Sequence, residues 1–138
     1  MEEENKVILT THQKINQALC GQLVEQKKNY AKVQLEATAT MAVDDEGLIH
    51  GGFIFGAADF CAMATVNRKN VVLSNSKSKF LAPVQVGDVV TFESEVLFGD
   101  DKKQEVIVTG KLDDIKIYEG SFGSVVLKKH VLKLKITD

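Results

Sequence analysis

The sequence has no tryptophan, one proline and only two cysteines in 138 residues. Cys20 and Cys61 lie far apart with no CxxC pair or Cys/His cluster beside them, which excludes the usual metal-ligand spacings and a disulfide framework. Both read as reduced, buried, small hydrophobes of a cytoplasmic protein. A basic excess is missing too: 17 Lys and Arg stand against 19 Asp and Glu, a formal net charge of -2. No broad positive field exists to bind nucleic acid. The start, Met1-Glu2-Glu3-Glu4, is acidic where a secretory leader is basic, so no signal peptide is expected. P-loop, dinucleotide-binding and HExxH patterns are absent. Gly120-Ser121-Phe122-Gly123-Ser124 departs from GxSxG and falls in a strand pattern rather than at a strand-to-helix elbow. With no repeat, linker or low-complexity stretch, residues 1–138 read as one domain with one sizeable core.

What the sequence does have is a stretch at residues 50–67 that is apolar nearly all the way round if helical. Such a helix lies either in a membrane or inside its own protein. This one is too short for a bilayer, which needs about 20 apolar residues. It carries one carboxylate, Asp59, in its middle, and Gly51 and Gly52 open it.

The rest of the chain frames that helix. Thr10-Thr11-His12-Gln13 has the form of a capping box, and Ile15, Ala18, Leu19 and Leu23 recur at helical spacing. A helix is therefore expected at about residues 11–27. From Ala31 the period switches to two, and a strand is expected over residues 31–43, ended by a turn at Asp44-Asp45-Glu46-Gly47. Further strands are expected over residues 71–81, 89–98 and 103–112. One long strand, or two, follows over residues 115–136, with bulges suggested at Gly120 or Gly123. Pro83 and Gly87 punctuate the turn before the second of these. Tight connections between consecutive strands imply an antiparallel sheet. A strongly twisted sheet wrapped around one apolar helix gives an α+β fold and accounts for a helix without a polar face.

Asp59 is costly to bury unpartnered. It either bonds a backbone group or a cation, opens to solvent, or does chemistry. Gly51 and Gly52 bring backbone N–H groups close to a ligand, since no Cβ blocks the approach, and at a helix N-terminus such groups stabilise an oxyanion. The plainer alternative is a strand-to-helix turn with unusual dihedrals. His50 would orient the turn or contact substrate, while His12 and His130 read as ordinary residues. Geometry constrains the chemistry. Asp59 follows Gly51 by eight residues, about 12 Å along a straight helix. A base and an oxyanion donor must both sit within about 3 Å of one reacting carbonyl. Two copies with antiparallel central helices satisfy this, each lending Gly51 to the other's Asp59, so an acyl-transfer site here requires a dimer.

His50-Gly51-Gly52, Asp59 nine residues after the His, and Asn67 beyond it resemble the hotdog-fold thioesterases of the phenylacetic-acid-degradation type. Phe80-Leu81-Ala82-Pro83-Val84 followed by Gly87-Asp88 resembles their strand and turn after the helix. The similarity covers about residues 30–135. It implies a hotdog fold, a homodimer with shared sites that is often a dimer of dimers, and hydrolysis of acyl-CoA thioesters without a cofactor beyond the CoA of the substrate. Carried across, Asp59 is general base or nucleophile and the Gly51 N–H polarises the thioester carbonyl. Asp44 stands six residues before His50, where relatives often have Asn. Ser74 lies near the position of a Ser that often assists. The CoA phosphates call for cations, and Arg68, Lys69, Lys77 and Lys79 are the candidates; the alternative for them is a solvated polar edge. Gly52 and Asn67 complete the expected substrate contacts. A non-catalytic acyl-CoA-binding or regulatory protein of the same fold is the second reading.

Overall fold

The computed structural model describes residues 8–134. One helix, α2 (Gly51–Val66), lies across a six-stranded antiparallel sheet. The strands are β1 (Gln22–Lys27), β2 (Tyr30–Glu36), β3 (Val71–Phe80), β4 (Val89–Gly99), β5 (Lys103–Leu112) and β6 (Ile115–Val126). Their spatial order is β1-β2-β4-β5-β6-β3, so the strand that follows α2 forms one open edge. A four-residue helix, α1 (Gln17–Cys20), precedes β1.

Alternation decides which strand face meets the helix. Ala31, Val33 and Leu35 of β2, Val90 and Phe92 of β4, and Val106 and Val108 of β5 are all buried. They meet Ala57, Ala58, Phe60, Cys61 and Ala62 of α2 in one core. Small residues on the helix let it sit close to the sheet. The Cys61 thiol donates to the carbonyls of Ala31 (3.4 Å) and Phe92 (3.6 Å), and Thr65 Oγ1 donates to Cys61 O (2.9 Å) and Ser94 O (3.3 Å). These contacts fix which side of α2 faces the sheet.

The expected helix at residues 11–27 is wrong. Asn16 caps a single turn, accepting from the Ala18 and Leu19 N–H groups, and Gly21 ends it with φ +93°. That positive-φ, extended conformation, open to glycine, stops the helix, and the chain continues as β1, paired to β2 with a bulge between Leu23 and Glu25. Ile15, Leu19 and Leu23 nevertheless pack against the core. Thr10 caps nothing there; it binds Asn67, and Gln13 Nε2 donates to Leu9 O.

Two strands are shorter than their sequence periods. β2 ends at Glu36 because its partner β4 begins opposite it at Val89. The chain then bonds across the Gly87-Asp88 turn (Ala37 N–H to Asp88 O, 2.8 Å) and enters a 3-10 turn, Ala39–Met41. β6 ends at Val126, opposite the first residue of β3, and a 3-10 turn, Val131–Lys133, follows. The remainder of the expected strand, residues 135–136, lies outside the described residues. Gly120 and Gly123 are regularly paired in β6, whose own irregularity falls at Ile117, opposite Gly110 and Lys111; the neighbouring β3 is bulged between Leu73 and Asn75.

Candidate functional site

The N-terminus of α2 is open. His50 is its N-cap with extended dihedrals and makes no side-chain capping bond. The first N–H groups of a helix have no partner within it, and Gly51 and Gly52 are exposed. The His50 ring folds over this turn, edge-on to Phe53 with centroids 6.1 Å apart. A Cβ on Gly52 would lie 2.8 Å from His50 Nε2, so glycine is what lets the imidazole lie there. A Cβ on Gly51 would find Phe80 at 3.8 Å, an ordinary contact, which places the turn over the end of β3.

Asp59 follows on a face of α2 directed away from the sheet. It lies two residues before Cys61, about 200° round the helix. Gly52, Gly56 and Asp59 share this face at i, i+4 and i+7, and a Cβ on Gly56 would meet nothing within 4 Å. Asp59 is half-buried. Its Oδ1 is buried with no hydrogen-bond partner among the described residues. Burial disfavours the charged form and pushes its pKa up to about 6, from an ordinary value of 3.8. A half-buried, unpartnered carboxyl with a pKa near 6 has the properties of a general base or nucleophile.

The other expected residues divide. Asp44 is exposed, and its Oδ1 accepts from the N–H groups of Glu46 (3.0 Å) and Leu48 (3.1 Å), which shapes the turn leading to α2. Ser74 sits at the β3 bulge and donates to Gly123 O at 3.0 Å. Asn67 is the C-cap of α2, left-handed at φ 47°, ψ 51°. Its side chain accepts from Thr10 N–H (2.7 Å) and donates to Ile8 O (2.9 Å). It thus clasps the segment before α1 to the far end of the helix, about 24 Å from Gly51. Arg68 and Lys69 are exposed just beyond it. Lys77 and Lys79 are exposed on the side of β3 away from α2, beside Glu119 and Ser121. Within one chain, then, His50, Gly51 and Gly52 are brought together, Asp59 lies farther along the same helix, and the four cations lie in two separate places.

Three hydroxyls escaped the sequence reading. Ser76, Ser78 and Tyr118 line the inner face of the β3–β6 edge: Ser76 Oγ lies 3.2 Å from Ser78 Oγ, which lies 2.6 Å from Tyr118 Oη. The alternation of Ser74, Ser76 and Ser78 was visible. The bulge that separates Ser74 from the other two was not.

Among the described residues no group of His, Cys, Asp and Glu could hold a metal ion, and no helix is long and apolar enough to cross a membrane.

An antiparallel sheet wrapped on one helix, with a glycine-opened N-terminus and a mid-helix acid, defines a hotdog protein of the thioesterase class. The chain belongs to the Thioesterase superfamily, whose sequence model matches residues 46–117. It is 44% identical over 119 residues to "Methylthioribose-1-phosphate isomerase" of Aquifex aeolicus, a match covering 86% of this chain and 26% of that protein. It is 25% identical to "Transcription factor FapR" of Thermoanaerobacter sp., over 82% of this chain and 57% of that one. The chain thus spans about a quarter to a little over half of these relatives. Among solved structures, the uncharacterized protein PH1136 of Pyrococcus horikoshii is 39% identical, with a TM-score of 0.90 over 92% of this chain and 98% of that one. The E. coli PaaI protein of the phenylacetic acid degradation operon shares the fold at 20% identity, with a TM-score of 0.76 over 86% and 88%. A hypothetical thioesterase solved with coenzyme A, from Streptococcus pneumoniae, shares it at 15% identity, with a TM-score of 0.71 over 79% and 87%.

Proposed function

We propose that this protein hydrolyses acyl-CoA thioesters in a site shared by two copies of the chain. The observation that carries the reading is Asp59: a carboxyl with one buried, unpartnered oxygen and a pKa near 6, on the helix whose N-terminus is left open by Gly51 and Gly52. Above that pH the carboxylate takes a proton from water as its oxygen attacks the thioester carbonyl. The Gly51 N–H of the second copy stabilises the oxyanion. Collapse breaks the C–S bond; CoA leaves as thiolate and takes up a proton, giving free acid and CoA thiol. An acyl anhydride with Asp59, opened by water, reaches the same products. The N-terminal turn and Asp59 are about 12 Å apart in one chain, which is the argument for two copies. The open edge of β3 supports that arrangement: from Ser74 to Phe80 every residue but Ser78 is exposed, on both faces. A long unpaired edge of this kind is a template for a second chain. The CoA phosphates would meet cations at the rim of this joint site, with Arg68, Lys69, Lys77 and Lys79 the candidates.

The test is release of free thiol from short, long and aromatic acyl-CoAs. Turnover that rises with pH through about 6 and is lost in Asp59→Asn supports the reading; unchanged turnover in Asp59→Asn removes Asp59 from the mechanism. The similarity to a transcription factor over 82% of the chain favours, as second reading, an acyl-CoA-binding regulator without turnover. Binding of acyl-CoA with no thiol release from any substrate would select it.

A further inference from the structure

Tyr118 is fully buried on β6, between Phe92 and Phe80, with ring centroids 6.1 and 5.3 Å away. Its hydroxyl has a single partner among the described residues, Ser78 at 2.6 Å. The geometry around that bond is built for it. A Cβ on Gly120 would stand 2.5 Å from Tyr118 Oη, so the glycine clears the path by which the phenol reaches β3. Phe80, two residues or about 7 Å along the same face of β3 from Ser78, touches both the Tyr118 ring and the space beside Gly51. A buried hydroxyl is thus tied, through one half-buried serine, to the open edge beside the helix N-terminus.

We propose that Tyr118 is a positioning residue: it holds the Ser78 hydroxyl so that it donates outward at the open edge of β3, on the side of Phe80 and Gly51, where substrate or the attacking water takes the place now held by Ser76. This rests on the hydrolase reading above. A phenol that donates to Ser78 fills one of its acceptor sites and leaves the serine proton free to point outward, and hydrogen bonds in such a chain strengthen one another. Burial raises the Tyr118 pKa, so the phenol keeps the proton it donates.

The experiment compares steady-state hydrolysis by wild type, Tyr118→Phe, Ser78→Ala, the double variant and Ser78→Thr. Each single loss should lower kcat about tenfold, the rate equivalent of one hydrogen bond, and leave KM unchanged. The double variant should be no slower than either single one, because both remove the same interaction. Ser78→Thr, which keeps a hydroxyl, should retain activity. Wild-type kcat in either single variant, or losses that multiply in the double one, would overturn the proposal. Ser78 lies on the sheet edge, so Ser78→Ala decides the matter even where Tyr118→Phe disturbs the core. Wild-type protein without turnover on any thioester would overturn the hydrolase reading and this proposal together; wild-type turnover with an unaffected Ser78→Ala overturns this proposal alone.

Discussion

Replacing Asp59 by Asn should stabilise the protein while it abolishes turnover. The pKa of Asp59 is raised to about 6 from an ordinary 3.8, through burial. The folded chain therefore binds this proton more tightly than the unfolded chain. The stability it contributes is fully present below the ordinary value and is lost as pH rises through about 6. Two pKa units correspond to roughly 2–3 kcal/mol, and this is what the folded state gives up at pH 8 to keep Asp59 ionised. Asn has nearly the same shape and no charge to desolvate, so the variant escapes that cost. Urea unfolding of both proteins at one chain concentration, at pH 4 and pH 8, measures it. Asp59→Asn should gain roughly 2–3 kcal/mol over wild type between the two pH values. A difference that does not change with pH, or wild type the more stable at pH 8, would refute the reasoning. Such a gain paired with lost activity is the trade expected where a strained group serves function rather than folding.

Other expectations separate the parts of the site. Gly51→Pro should remove the N–H proposed to hold the oxyanion and leave the helix intact, because proline is favoured at the first helical position and His50 already has the extended dihedrals that precede a proline. Gly51→Ala keeps the N–H and meets Phe80 at an ordinary 3.8 Å; it should retain activity, while thiol release by Gly51→Pro falls about 100-fold. Asn67→Ala forces alanine into the left-handed region and cuts the clasp to Ile8 and Thr10, which should cost about 2 kcal/mol in urea unfolding. Hydrogen exchange at residues 8–16 should quicken with it, and unchanged exchange there would contradict the clasp.

The central helix was legible because its residues are apolar on every side and its ends carry their own signals, glycines at one and Asn67 at the other. The extents of β3, β4 and β5 were legible from apolar runs bounded by turn residues. The failures are non-local. Nothing near Glu36 says that β2 stops there; it stops because β4 begins opposite it. The apolar spacing of Ile15, Leu19 and Leu23 is satisfied by one turn of helix followed by a strand, since both place those side chains on the core, and Gly21 was the signal that separated the two. The site was half legible. Gly51 and Asp59 stand out as residue types that the surrounding chain does not explain. The one-residue bulge at Ser74 is invisible in an alternating row of serines. Nothing in the sequence set Tyr118 apart; it is core except for the one oxygen that reaches β3.

The claim that two copies build each site is tested most directly by mixing inactive variants. Copies carrying Asp59→Asn and copies carrying Gly51→Pro are each inactive alone on this account. After joint refolding in equal amounts, half of the dimers pair one of each, and one of the two sites in such a dimer combines an intact Asp59 with an intact Gly51. Activity should return to about a quarter of wild type. No recovery, with mixed dimers shown to be present, would place both groups in one chain and contradict the account.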